Sequence, residues 1–520
     1  MMSFRSYAPG ELDRIKDAYL ADPGRRNETA LYDQTWNDMN MDRVFSRIDT
    51  CSSLAGEERL YAMLREPFSD ADEIKRRDGL IRYFDENKEL SDAYKKRLAE
   101  IGGSIKVPAS VTLARLQGLS SQSSVGHIIC ALLGVFSIVM IFILPTAGLL
   151  IFLMILVLNI STYFKRKEET GEYLACFTYI IKSYQAARSM LQVPDDEEKP
   201  YRVSLRLAVK ELKSAVRGSI LITGGRGLTG SFFNMMLDYL RIFFHLDLIK
   251  FNSMLKNVLR HREDIERMNE ALGEIDAFIA AAAFRRSLPY WCVPEYTEEA
   301  CFNAEGLCHP LLEKPVSADI SISGRNALIT GSNASGKSTF LRSVALASIL
   351  GQSIATVCAK SFSSARFRII SSMTASDDIV SGSSYYMAEI KALKHVLDAA
   401  SSSYRVLCFV DEVLKGTNTV ERIAASSEIL KSLVRDNVIC FAATHDVELT
   451  EMLEAYYTNY HFEEDMKDDD VKFSYRLMQG PASTRNAIKL LKIMGYDESI
   501  TSSAEERAEI FENKGVWERL

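Results

Sequence analysis

The sequence predicts an α/β domain built around a phosphate-binding loop, joined to an all-α, lever-like domain that a two-helix apolar hairpin interrupts. Three observations carry this expectation. A glycine-rich loop, GSNASGKS at 331–338, stands between the apolar run NALIT and the periodic run STFLRSVALASIL. No Asp, Glu, Lys or Arg occurs from Leu116 to Phe164. In most of the remaining sequence before Pro294, apolar residues recur at spacings of three and four, the helical period.

Composition sets outer bounds. A chain of 520 residues, 47% hydrophobic, can fill several cores and is not a disordered protein. Its 62 basic and 69 acidic residues give a net charge of −7, which argues against a surface that is electropositive everywhere and leaves only a local basic patch for nucleic acid. The start, MMSFRSYAPGELDR, lacks the apolar core of a secretory signal, and the nine cysteines are scattered, so a reducing, cytosolic setting is expected. Cys292, Cys301, Cys308 and His309 fit no CxxC metal pattern and read as structural thiols.

Taken in order, residues 1–35 form an N-terminal segment. Residues 36–125 read as helical: the run Met41–Arg65 stops at Pro67, and Ser69, Asp70 and Glu73 offer a capped start to the next helix. Residues 126–164 read as a transmembrane hairpin. The candidate spans 128–144 and 146–163 hold twelve and ten Leu, Ile, Val or Phe residues. At about 1.5 Å per residue each covers roughly 25 to 27 Å, near the thickness of a hydrocarbon core. Neither shows the polar face that a soluble surface helix needs. Pro145, Thr146 and Gly148 supply an uncharged turn, and Lys165, Arg166 and Lys167 stay on the cytosolic side, which places both termini there at the cytoplasmic membrane.

Residues 165–290 return to helix, with the glycine cluster GGRGLTG at 224–230 read as a helix-helix turn. The apolar stretch 232–248 reads as a buried or membrane-surface amphipathic helix, because it carries Asp238, Arg241 and Asp247. The run from Ser253 to Arg286 reads as one long helix. After Pro294 short β-branched runs alternate with helices, so 291–520 reads as an α/β domain with a mostly parallel sheet.

The chemistry concentrates in this domain. Gly331, Ser332, Asn333, Ala334, Ser335, Gly336, Lys337, Ser338 and Thr339 lie where successive backbone N–H groups and a helix N-terminus form an anion cradle. Lys337 is expected on the β- and γ-phosphates of ATP, and Ser338 on Mg²⁺. The strand RVLCFV runs into Asp411 and Glu412. Asp411 suits the hydrated Mg²⁺, and Glu412 suits a base that activates the attacking water. The strand VICFAAT leads to His445, placed to sense the γ-phosphate or the lytic water.

These stretches resemble the MutS family, the ATPases of DNA mismatch repair. ITGSNASGKSTFLRSVAL, ASDDIVSGSSYYMAEI, FVDEVLKGTNTVER, ATHDVELTEML and GPASTRNAIKLLKIMG occur in the family's order and near its spacings. The resemblance implies Asn333 as a nucleotide contact, Ser384 as the serine that reaches the partner subunit's ATP, with Asp377 and Asp378 in the same segment, and His445 and His461 near the composite site. It implies a homodimer of ATPase heads and DNA as a partner. RIDTCSSLAGEERLYAMLREPFSDADEIKRRDGLIRYF is similar to the start of the family's lever domain.

Departures bear on function. The repair proteins' mismatch-reading and connector domains have no counterpart in the residues before the lever-like stretch. Phe84–Glu86 matches the residue types of a mismatch wedge, yet inside an apparent lever helix, so it reads as coincidence. Ala334 and Ser335 stand where the family prefers Met and Gly. The expected function is a membrane-anchored MutS-like ATPase that moves helical levers, with DNA or damage sensing implied by resemblance. The alternative is an ATP-driven mechanical or scaffold module acting on a membrane partner. A transporter subunit of the ABC class would need an LSGGQ-like signature and about six spans, and neither is visible.

Overall fold

The computed structural model describes residues 4–21, 29–67, 70–102, 125–216, 239–240, 242–332, 335–373, 385–415, 417–467, 470–481, 488, 491–492 and 494–517. The helices are α1 (Glu11–Leu20), α2 (Asp33–Asp38), α3 (Met41–Ile48), α4 (Leu54–Arg65), α5 (Ala71–Glu86), α6 (Lys88–Ala99), α7 (Val125–Ile143), α8 (Pro145–Met190), α9 (Pro200–Ala215), α10 (Leu246–Arg260) and α11 (Arg262–Ser287). Beyond them the chain alternates strands and helices: β1 (Glu295–Tyr296), β2 (Cys301–Leu307), β3 (Ala318–Ser323), β4 (Asn326–Thr330), α12 (Lys337–Ile354), β5 (Ser361–Ser364), β6 (Arg368–Ser372), α13 (Tyr385–Ala400) and β7 (Val406–Asp411). There follow α14 (Thr419–Ser432), β8 (Val438–Thr444), α15 (Glu448–Met452), β9 (Tyr457–Lys467), β10 (Asp470–Gln479) and α16 (Glu498–Lys514).

The α/β part contains a six-stranded sheet in the order β10-β9-β4-β8-β7-β6, parallel except for the β9–β10 hairpin. NALIT, VLCFVD and VICFAAT are buried along their whole length, which is why they read as unbroken apolar runs. A second sheet, β1-β5-β2-β3, lies beside it.

The helical part packs α4 against α11 at close range. Two glycines allow this: a Cβ on Gly273 would meet the Ala55 carbonyl at 2.6 Å, and one on Gly56 would collide with the Asp276 side chain. Asp276, fully buried on α11, accepts hydrogen bonds from the Ser53 N–H at 2.8 Å and the Ser53 hydroxyl at 2.6 Å, tying the start of α4 to α11. A second clasp sits below: the hydroxyls of Tyr83, Tyr94 and Tyr201 all donate to Asp195, at 2.5, 2.6 and 2.7 Å. Asp70 caps α5 by accepting from the Glu73 N–H at 2.7 Å, as its position after Pro67 predicts.

Helices α7 and α8 form an antiparallel pair, both long and apolar enough to cross a membrane. Their outward residues are bare, with Phe142 83% and Met154 69% exposed. Three features differ from the sequence reading. Helix α8 does not end near Lys165 but continues for 46 residues to Met190, because KRKEE interrupts the apolar pattern and not the helical one. The 253–286 run is two helices, broken at His261, whose Nδ1 contacts Asp264 Oδ2 at 3.2 Å. The 232–248 stretch is not one helix over its described residues: His245 takes a left-handed φ of 53° and starts α10. There Phe243 and Phe244 pack on Gly134 of the hairpin, and the Asn159 amide donates to the Phe243 carbonyl at 2.9 Å. The GGRGLTG cluster lies outside the described residues.

Candidate nucleotide-binding site

Strand β4, in the sheet's interior, delivers the chain to Gly331, and α12 carries it away from Gly336. Both glycines have positive φ, 140° and 105°, which a side chain would strain. At Gly331 a Cβ would also meet Ser335 Oγ at 2.8 Å. The turn is closed by Ser335, whose N–H and hydroxyl donate to the Ser332 carbonyl at 3.2 and 2.8 Å. Asn333 and Ala334 fall outside the described residues.

Lys337, 3% exposed, folds back over the loop and donates to the carbonyls of Gly331 and Ser332 at 2.6 and 2.8 Å. Its ammonium lies 3.4 Å from a His445 ring nitrogen. Thr339 stands in the same first turn, so α12 presents its N-terminal N–H groups, with no acidic side chain in that turn, beside the lysine. The Ser338 hydroxyl donates to Asp411 Oδ2 at 2.5 Å. A hydroxyl and a carboxylate so placed are hard oxygen donors that fit Mg²⁺, which takes only one or two protein ligands and completes its shell with phosphate and water. No group of three or more His, Cys, Asp or Glu side chains able to hold a metal occurs among the described residues.

Glu412 follows Asp411 with a left-handed φ of 58°, a costly conformation for a residue with a side chain. The bend aims its carboxylate at the end of β8, where it meets His445 Nε2 in a hydrogen bond and lies 3.3 Å from Lys415 Nζ. The His445 hydrogen bond is the main force pulling the Glu412 carboxyl down to about 2; burial opposes it and Lys415 adds to it. Lys337, Ser338, Asp411, Glu412 and His445 therefore share one site. His461 flanks it: paired with Thr330 across the sheet, it contacts the Gly480 carbonyl at 2.9 Å. Ser384, Asp377 and Asp378 lie outside the described residues.

Several neighbours escape sequence reasoning. The Tyr475 ring stands against Gly336, within 3.2 Å of where a Cβ would be. Arg422 and Asp446 form a two-pronged pair at 2.6 and 3.0 Å that braces the residue after His445. Buried Glu389 accepts from the Lys415 N–H at 3.2 Å. None belongs to a local pattern. A cavity of 970 Å³ lies on the other sheet, lined in part by Glu305, Asp319 and Lys360, and shares with the six-stranded sheet only Tyr460, Leu477 and Gln479. Away from the site, Cys308 and Cys358 bring their sulfurs to 2.6 Å, and His309 is buried, pushed down to about 4 by burial and by Arg342 and Arg47.

A largely parallel sheet whose interior strand feeds a glycine-rich loop and helix, with acidic residues at the end of a nearby strand, defines a mixed α/β domain of the MutS domain V kind. Residues 327–512 match the family model for MutS domain V. The chain is 32% identical over 272 residues to the DNA mismatch repair protein MutS of Natronomonas pharaonis, covering 50% of this chain and 31% of that protein. It is 31% identical over 268 residues to DNA mismatch repair protein MutS 2 of Haloarcula marismortui, covering 46% of this chain and 28% of that one. Residues 327–512 therefore belong to the MutS domain V family, and the aligned part of the chain spans about a third of the length of these relatives.

Proposed function

We propose that the protein is a membrane-anchored MutS-like ATPase that binds and hydrolyses Mg-ATP and uses the cycle to move its helical domain. The observation that carries the reading is the convergence of Lys337, Ser338, Asp411, Glu412 and His445 around one glycine-rich loop. In this reading Gly331, Ser332, Asn333, Ala334, Ser335, Gly336 and Thr339 cradle the phosphates with Lys337. Ser338 and Asp411 hold Mg²⁺, Glu412 takes a proton from the attacking water, and His445 orients Glu412. Ser384 and His461 complete the site in a homodimer, and α7 and α8 anchor it in the cytoplasmic membrane with the ATPase on the cytosolic side.

DNA enters through the printed names of the relatives, which are mismatch repair proteins. A second reading, a mechanical module acting on a membrane partner without mismatch recognition, is favoured by α8, which runs as one helix from the bare apolar pair into the helical domain. Both are tested with detergent-solubilised protein by phosphate release and by binding to matched, mismatched and branched DNA over a salt series. Turnover with salt-dependent DNA binding supports the repair-like reading. Turnover without DNA binding supports the second, and absence of magnesium-dependent turnover refutes the ATPase.

A further inference from the structure

Strand β6 is the outer strand of the six-stranded sheet, so its outward N–H groups face no neighbouring strand. Helix α2 meets them with side chains. Thr35 Oγ1 accepts from the Ser371 N–H at 3.1 Å, and Asp38 Oδ2 accepts from the Met373 N–H at 3.0 Å and the Ser371 hydroxyl at 2.7 Å. At the start of the strand, the Tyr32 hydroxyl accepts from Arg368 Nη2 at 2.6 Å. Thr35 and Asp38 are each 1% exposed, so these bonds are made away from water and leave costly orphans if broken.

Asp38 also reaches a second element. Its backbone carbonyl accepts from Arg342 Nε at 2.7 Å, and Arg342 stands on α12, just over one turn beyond Lys337. One residue therefore holds both the phosphate-loop helix and the strand end that precedes residues 374–384, the stretch containing Ser384. On its other side α2 is fixed to the helical domain: the Trp36 ring lies 4.8 Å from the Tyr61 ring of α4, and the Arg65 guanidinium lies 4.3 Å over Trp36.

We propose that Asp38, supported by Thr35, is a positioning residue for ATP hydrolysis, latching the end of β6 onto the phosphate-loop helix and linking both to the helical domain. The proposal rests on the ATPase reading above. The latch makes none of the loop and lysine contacts at Gly331, Ser332 and Lys337, so it bears on turnover and leaves nucleotide affinity in place.

The test uses the full chain in detergent, with nucleotide affinity measured by a fluorescent ATP analogue alongside kcat and KM. Asp38→Ala is expected to lower kcat about tenfold, within the range of network substitutions, while the analogue's Kd stays within about twofold. Asp38→Asn, which keeps an acceptor oxygen, is expected to recover most of the loss. Ser371→Ala, a milder change that removes one donor, is expected to shift kcat the same way and guards against a folding failure of Asp38→Ala. Unchanged kcat in Asp38→Ala and Ser371→Ala, or a loss confined to nucleotide affinity, overturns the latch. A wild-type chain without turnover overturns the ATPase reading and the latch with it, whereas turnover that survives the substitutions overturns the latch alone.

Discussion

Replacing Glu412 by Gln removes one proton acceptor and little else. The backbone strain at φ 58° is common to both residues, the side chains are nearly isosteric, and the Lys337, Ser338 and Asp411 contacts do not involve it. Loss of a positioned general base costs about 10² to 10⁴ in rate, equivalent to about 3 to 5.5 kcal/mol of barrier. The expected outcome is a fall in kcat of that size with Kd for a fluorescent ATP analogue nearly unchanged, read by phosphate release and equilibrium titration. Its pH dependence sharpens the point. Because the His445 hydrogen bond holds the Glu412 carboxyl near 2, the wild-type base stays ionised at every pH above that value, so its protonation adds no acid limb between about pH 5 and 8. In His445→Ala the carboxyl should return toward its ordinary value of 4.5, moving an acid limb upward in pH. Turnover unchanged in Glu412→Gln refutes the assignment of the base, and an acid limb that stays put in His445→Ala refutes the role of the Glu412–His445 hydrogen bond.

Asp195→Ala should destabilise the helical part by about 3 kcal/mol, since it removes the shared acceptor of three phenol hydroxyls while Arg202 keeps Glu197 as a partner at 2.7 Å, and denaturant titration of the full chain reads it. Burial works against ionisation of Asp195, but the three phenols outweigh it and hold its carboxyl below the usual range, so the clasp's contribution is present above the ordinary carboxylate pKa and is lost as pH falls through the lowered one. Ser384→Ala in one subunit of a mixed dimer should slow hydrolysis in the other, and mixed dimers with normal turnover would remove the shared site. Met154→Arg, midway along the bare face of the hairpin, adds about 2.5 to 3.5 kcal/mol against insertion and should shift the chain out of the membrane fraction; unchanged fractionation would argue against anchoring by α7 and α8.

What the sequence made legible was local. GSNASGKS, the acidic end of VLCFV and the histidine after VICFAAT are each a strand end followed by its own chemistry, and the parallel sheet sets three such ends side by side. What stayed hidden depends on distant partners or on backbone angles. Arg422 finds Asp446 across 24 residues and Asp38 finds Ser371 across 333. No single-sequence periodicity records either pairing. The breaks at His245 and His261 were invisible for a different reason: the apolar period continues through both, and only the dihedrals of one residue change.

The two ends of α12 explain how a site at a loop can bear on helices far from it. Its 18 residues make a rod of about 27 Å, with the glycine-rich loop at the N-terminus. At the other end, the Ser353 carbonyl accepts from Arg77 Nη1 of α5 at 2.7 Å, and the Ala355 carbonyl accepts from Arg285 Nη2 of α11 at 2.8 Å. Two buried guanidinium groups thus sit at the negative end of the helix dipole, where cations are favoured. Arg285 is fixed in turn by Asp78 at 2.9 Å and by the Thr356 hydroxyl at 2.9 Å, so the joint is a network and not a single bond. Helix α11 packs on α4 and on α8, and α8 passes without a break into the apolar pair. If α12 tilts when nucleotide binds, as the proposed cycle requires, the tilt would meet a packed helix at every step toward the hairpin along the described residues. Helix α10, joined to α11 through the bend at His261, belongs to the same packed body: its Phe251 ring lies 5.2 Å from the Phe177 ring of α8, and the His245 ring at its start meets the Asn159 carbonyl at 2.9 Å, so a change in its angle would press on α8 as well.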